Sequence, residues 1–221
     1  MDPSHAPRYE QRDIEAIAKK LLGTAYSEIE IEPPVDIDFV VENHPLVDSI
    51  IPVELLEDKF NVAAVLVVLP NGKIDILVDE DEANRQSYRA NFSIAHELGH
   101  IALHADIWKG CTTIKDTLNL HKRINACYAK LERQANRFAG AFLMPRNILF
   151  EDLKRVYSQI VREYGYKHDI TLINNIISRT LARRYNVTLQ PMEIRLNELG
   201  YINKIASAVA AQTRYIDYDI I

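Results

Sequence analysis

Cysteine is scarce in this sequence: only Cys111 and Cys127 occur, and their spacing matches no metal-ligand pattern. Nothing suggests the disulfide framework of a small secreted domain. Long apolar runs are also missing. The longest, Val62 to Leu69, is far short of a membrane span. The opening stretch, MDPSHAPRYEQRDIEA, has no apolar segment, so no signal peptide is expected. Basic charge is not in excess either. The net charge is −5 over 221 residues, which argues against broad nucleic-acid binding. Residues 1–150 carry 23 Asp+Glu against 16 Lys+Arg, whereas residues 151–221 carry 8 against 10. These absences predict a cytoplasmic protein with no membrane association. The hydrophobic content of 48% suffices for a core without disulfides.

Periodicity and punctuation divide the chain. Arg12 to Leu22 has apolar residues at helical spacing, with Gly23 predicted just past its end. Val35 to Asn43 reads as a short helix opened by Pro33 and Pro34. Val47 to Val53 reads as a strand. Val62 to Leu69 and Lys73 to Asp79 flank Pro70-Asn71-Gly72, a hairpin signal. The second of these runs alternates apolar and acidic residues and is expected at a sheet edge. Asp79 to Asn91 reads as a charged turn, and Trp108 to His121 as a loop bordering a cleft. Arg123 to Leu143 is a long helix stopped before Pro145. Helices are then expected over 147–164, 169–185 and about 189–199, so Pro145 is the natural boundary between residues 1–145 and a helical part, 146–221.

The stretch FSIAHELGHIALH, Phe92 to His104, holds H-E-x-x-H at His96, Glu97 and His100. On a helix, residues four apart share a face, so both imidazoles can reach one metal ion. Glu97 is turned roughly 100° away, where it reaches a water beside the metal rather than the metal itself. Gly99, between the histidines, leaves room for a close neighbour. A catalytic zinc site wants a third protein ligand. Leu131 to Pro145, LERQANRFAGAFLMP, supplies Glu132 for that role. Asn136, on the same helix face, would hold one histidine by its far nitrogen. His104 lies roughly 12 Å beyond His96 along a helix axis, too far for three histidines to bind one ion easily.

FSIAHELGHIALH together with ERQANRFAGAFLMP resembles the ImmA/IrrE family of zincin-fold metallopeptidases. The likeness extends over roughly residues 10–202 and includes NVTLQPMEIRLNELGYI, Asn186 to Ile202. Asn91-Phe92-Ser93 departs from the Arg-Phe-Thr that many relatives carry before the first histidine. The resemblance implies an α+β zincin-like fold with a small mixed sheet, an H-E-x-x-H helix and a helical C-terminal part. By position it implies His96, His100 and Glu132 as ligands to one Zn²⁺ and Glu97 as general base. It further implies an edge strand that holds a peptide beside the metal, here Ile74 to Val78. The substrate class it implies is a regulatory protein, typically a helix-turn-helix repressor in a stress regulon, whose cleavage relieves repression.

In that chemistry the metal polarises the scissile carbonyl while Glu97 moves the proton. A second oxyanion donor is needed, and Tyr88, His104 and His121 are the candidates. Cys111 is a candidate thiolate ligand for a latent state, with a plain buried cysteine as the simpler reading. Met144 reads as a core methionine. Mn²⁺ or Fe²⁺ suits the same ligands as Zn²⁺. The competing function is a non-proteolytic antirepressor on the same fold. A third is DNA binding through Arg179, Arg183, Arg184, Arg195 and Lys204, a cluster that reads more simply as a solvated helical face.

Overall fold

The computed structural model describes residues 7–54, 62–164 and 169–207, apart from 28, 86, 124 and 206. The fold is mixed α+β, as expected, and the chain divides into two compact units, Met1–Leu143 and Met144–Ile221. No helix among the described residues is long and apolar enough to cross a membrane.

The first unit opens with α1 (Gln11–Tyr26) and α2 (Ile37–Glu42). Helix α1 runs through Gly23 rather than ending before it, because nothing crowds that position and the Ser27 N–H still closes on the Gly23 carbonyl. Asp36 caps α2 by accepting from the Phe39 N–H at 3.0 Å. Three strands follow: β1 (Val47–Val53), β2 (Ala64–Val68) and β3 (Ile74–Asp79). Their spatial order is β1-β3-β2, with β1 parallel and β2 antiparallel to β3.

The strand expected at the sheet edge, β3, is therefore central. Its acidic residues misled the reading. Asp79 is buried, and its Oδ1 accepts from the Asp81 N–H at 3.0 Å and the Glu82 N–H at 3.3 Å. Those bonds cap α3 (Glu80–Arg85), so the segment expected as a turn is helical. Buried Glu82 then accepts from Ser93 at 3.2 Å and pairs with Arg89 at 3.3 Å. Both partners lie on α4 (Ser87–Trp108), the H-E-x-x-H helix.

The open edge on the site's side belongs to β2. Asp79 donates to the Ala63 carbonyl and Leu69 to the Lys73 carbonyl, which fixes the hydrogen-bonded pairs of the hairpin. Ala64, Leu66 and Val68 then alternate with them and turn their backbone groups away from β3. Val68 donates outward to the Cys111 carbonyl at 2.7 Å. The Leu66 carbonyl accepts from Thr117 at 2.7 Å. Thr117 lies on α5 (Ile114–Arg123), which replaces most of the loop expected over residues 108–121. Thr113 starts this helix by exchanging hydrogen bonds with Asp116.

Helix α6 (Asn125–Leu143) packs on both α4 and α1. A Cβ on Gly99 would lie 3.1 Å from the Phe138 Cβ and 3.2 Å from the Ala135 Cα. Any larger residue would push these neighbours back by a few tenths of an ångström. Leu98, Ala135, Phe138, Ala139 and Phe142 fill the seam and are fully buried.

The second unit contains α7 (Arg146–Tyr164), α8 (Ile170–Arg184) and α9 (Leu189–Glu198). Buried Asp152 accepts from Arg184 at 2.6 Å and from the Tyr185 hydroxyl at 2.9 Å. Arg195, 2% exposed, donates Nε and one Nη to the Met144 carbonyl, both at 3.1 Å. Lys204 lies over the Phe150 and Tyr201 rings. Much of the basic cluster is thus committed inside the unit. Met144 is fully buried.

Two glycine substitutions test the seam. Alanine in a helix gains about 0.5–1 kcal/mol over glycine, whereas overpacking costs about 1–3 kcal/mol. At Gly99 two of the three nearest atoms are the Phe138 Cβ and the Ala135 Cα and the third belongs to the buried Phe138 ring, so Gly99→Ala is expected to lose about 1 kcal/mol net by urea denaturation. Gly23→Ala, in open space, is expected to gain stability. Equal or greater stability for Gly99→Ala would refute a tight α4–α6 contact.

Candidate metal centre

Helices α4 and α6 bring three side chains together. The His96 Nε2 and His100 Nε2 lie 3.0 Å apart. Glu132 meets both, with Oε1 3.1 Å from His100 and Oε2 3.2 Å from His96. Metal bonds of roughly 2.0–2.2 Å in tetrahedral array imply donor separations of about 3.3 Å, close to this triangle. One donor atom from each residue lies within 4.8 Å of the others, as one ion requires.

The chemistry of the donor set also suits a cation. Each Nδ1 is engaged elsewhere: on His96 with the Asn136 Oδ1 at 2.9 Å, on His100 with the His104 Nδ1 at 3.1 Å. If both histidines carry their proton on Nδ1, two lone pairs and a carboxylate face one another, and a cation must offset their repulsion. A proton can serve. Burial opposes charge on His96, but the hydrogen bond to Glu132 and the Glu97 and Glu132 carboxylates raise its pKa overall. Burial chiefly drives His100 down to about 3. Burial would raise Glu132, but the contacts with His100 and His96 hold it well below the usual carboxylate range. A divalent metal across all three atoms fits the same donors and charge.

Glu97 is not one of these three donors. Burial, as the largest effect, raises its carboxyl to about 7; His96 opposes the shift and Glu132 adds to it. It lines a cleft of about 290 Å³ that also contains His96, His100 and Glu132. Val62, Ala63 and Ala64 form the wall opposite, so the open end of β2 borders the cleft. Trp108 packs edge-on against His100, with ring centroids 5.0 Å apart.

The expected oxyanion candidates are not grouped there. Tyr88 is 41% exposed on the first turn of α4 and is not among the cleft residues. His104 is buried behind His100, on the side away from Glu132's contact with it. The side chain of His121 lies outside the described residues. Cys111 is buried and its carbonyl serves β2, but it does not line the cleft. Met144 does not line it either.

The cleft instead contains Tyr128, which the sequence reading passed over. It lies one turn before Glu132 on α6 and hydrogen-bonds to that carboxylate. Burial, then the Glu132 and Glu97 charges, push its phenol up to about 12, so it stays a donor. Its i, i+4 relation to Glu132 was the available signal.

Metal removal tests the donor set. Zinc that binds only the folded chain stabilises it by about 2.7 kcal/mol at a hundredfold excess over Kd. Chelation is therefore expected to lower the thermal midpoint and added zinc to restore it. In Glu132→Ala the zinc-dependent increment should vanish; an undiminished increment would place the metal elsewhere.

A comparison with protein families matches residues 82–197, more than half of the chain, to the IrrE N-terminal-like domain of a peptidase family. A comparison with curated proteins finds no match. The matched stretch takes in the H-E-x-x-H helix and the helix that carries Glu132, the motifs on which the likeness to the ImmA/IrrE family rests. With that match, the chain belongs to the ImmA/IrrE family, the peptidases of the IrrE N-terminal-like domain.

Proposed function

We propose that this chain is a cytoplasmic, zinc-dependent endopeptidase that cleaves a regulatory protein, with a helix-turn-helix transcriptional repressor as its substrate class. His96, His100 and Glu132 hold the zinc in this reading, Asn136 orients His96, and Glu97 is the general base. The observation that carries it is Glu97: a buried carboxyl raised to about 7, facing a cleft beside three metal-type donors. A purely structural metal site has no use for such a group. The two free cysteines accord with a reducing compartment.

Bound zinc would supply Lewis acidity and make water acidic enough to lose a proton near neutral pH. The protein's own groups do the rest. Glu97 takes a proton from the attacking water and returns it to the leaving amine, a cycle its raised pKa permits. The outward-facing N–H and C=O of Ala64 pair with the main chain of an extended substrate. Val68 and Leu66, further along that edge, are already occupied by Cys111 and Thr117. Substrate pairing is thus confined to the end of β2 nearest the metal donors. Tyr128 turns its O–H from Glu132 to the oxyanion as charge develops there.

Co-expression tests this reading. The helix-turn-helix repressor encoded nearest the gene is produced with wild type, Glu97→Gln or Tyr128→Phe, and repressor size and promoter output are followed. Fragments are expected with wild type and none with metal-loaded Glu97→Gln. With a purified cleaved substrate, Tyr128→Phe is expected to lose about 100-fold in kcat with little change in KM. Derepression by Glu97→Gln with intact repressor would instead identify a binding antirepressor.

A further inference from the structure

His104 lies outside the candidate donor set of His96, His100 and Glu132, yet it is among the buried polar residues of the first unit. Its two ring nitrogens are both engaged. Nδ1 lies 3.1 Å from the His100 Nδ1, and Nε2 lies 2.9 Å from the Gln134 Oε1. Gln134 is itself buried and directs its Nε2 at the Pro7 carbonyl, 3.3 Å away. A continuous chain therefore runs from the N-terminal segment to a candidate metal ligand.

The direction of this chain follows from donor and acceptor rules. The Pro7 carbonyl can only accept, so the Gln134 amide must present N–H to it and keep its oxygen for His104. That oxygen can only accept, so the His104 proton sits on Nε2. The His104 Nδ1 is then a lone pair and accepts from His100, whose proton must sit on Nδ1. The His100 Nε2 is left bare, facing the His96 Nε2 and Glu132. Each link admits one arrangement, and the last leaves the ring nitrogen that a metal needs.

We propose that His104 and Gln134, anchored on the Pro7 carbonyl, are positioning residues that lock His100 in its Nδ1–H tautomer and so commit its Nε2 to the metal. This rests on the assignment of His96, His100 and Glu132 as the metal-binding set. His96 receives the corresponding support from Asn136 on α6, one turn beyond Glu132. The His100 arm is longer and draws on three parts of the first unit. It starts beside the Tyr9 ring, whose centroid is 6.5 Å from that of His104. It crosses α6 at Gln134 and ends on α4, just where the helical dihedrals break at His104 (φ −133°, ψ 17°). Partners of this kind orient a ligand ring and typically change metal affinity 10–100-fold when removed.

Two readouts test the relay apart from activity. The zinc Kd is measured by chelator competition for wild type, His104→Phe, Gln134→Met and Gln134→Glu. The histidine tautomers of the zinc-loaded wild type and variants are read from ¹⁵N-detected ring resonances. His104→Phe keeps a ring but no acceptor and is expected to weaken zinc binding about 10–100-fold. Gln134→Met keeps the side-chain length without the acceptor oxygen and should weaken it about 10-fold, while Gln134→Glu, which retains an acceptor, should stay closer to wild type. In wild type, protons are expected on the His104 Nε2 and the His100 Nδ1. A proton on the His104 Nδ1, or a Gln134→Met protein with wild-type zinc affinity, would overturn the relay. Wild type that binds no zinc would overturn the metal assignment itself, a different failure from tight wild-type binding that the variants leave unchanged.

Discussion

The approach of α4 to α6 at Gly99 is the constraint on which the site depends. His96 and His100 face Glu132 across two helices that lie closer than side chains at the crossing would normally allow. The missing Cβ supplies that space, and Phe138 and Ala135 use it. The contact is apolar and fully buried, so its geometry is fixed by packing and not by the polar groups it positions. The same seam delivers Asn136 to His96 and Gln134 to His104. The close approach at one residue without a side chain thus underlies two polar contacts and the donor triangle.

Burial then separates two carboxyls that lie close together. Glu132 lies against both imidazoles and is held ionised. Glu97 lacks that compensation, feels the Glu132 charge, and rises to about 7. One is suited to hold a cation and the other to move a proton, and the difference comes from position alone. The cleft that both border ends at the open edge of β2, where the Val68 N–H and the Leu66 carbonyl further along are taken by Cys111 and Thr117.

The helices with strong apolar periodicity were legible in the sequence, as was the pairing of H-E-x-x-H with a later helix. What escaped was carried by polar residues whose partners are distant or whose role is local. The Asp79 carboxylate reads as a mark of exposure but is a buried helix cap, so the sequence points to an edge position for β3 and a turn in place of α3. The Asp79-x-x-Glu82 and Thr113-x-x-Asp116 spacings were the available signals for the two helices missed. No pattern within β3 could reveal that β1 returns parallel on its far side, because register across a sheet is a long-range property. His104 reads from the sequence only as a residue too far along the helix for the ion; its link through Gln134 to Pro7 joins residues 127 positions apart and leaves no trace in local spacing. Tyr128 went unnoticed because one phenol on a long helix is unremarkable until the helix is placed.

The most direct test is a crystal structure of the zinc-loaded protein with anomalous data collected at the zinc edge. One peak per chain is expected, within bonding distance of the His96 Nε2, the His100 Nε2 and a Glu132 oxygen, with Glu97 outside the ligand sphere. No peak among these atoms, or Glu97 bound directly in place of Glu132, would contradict the account.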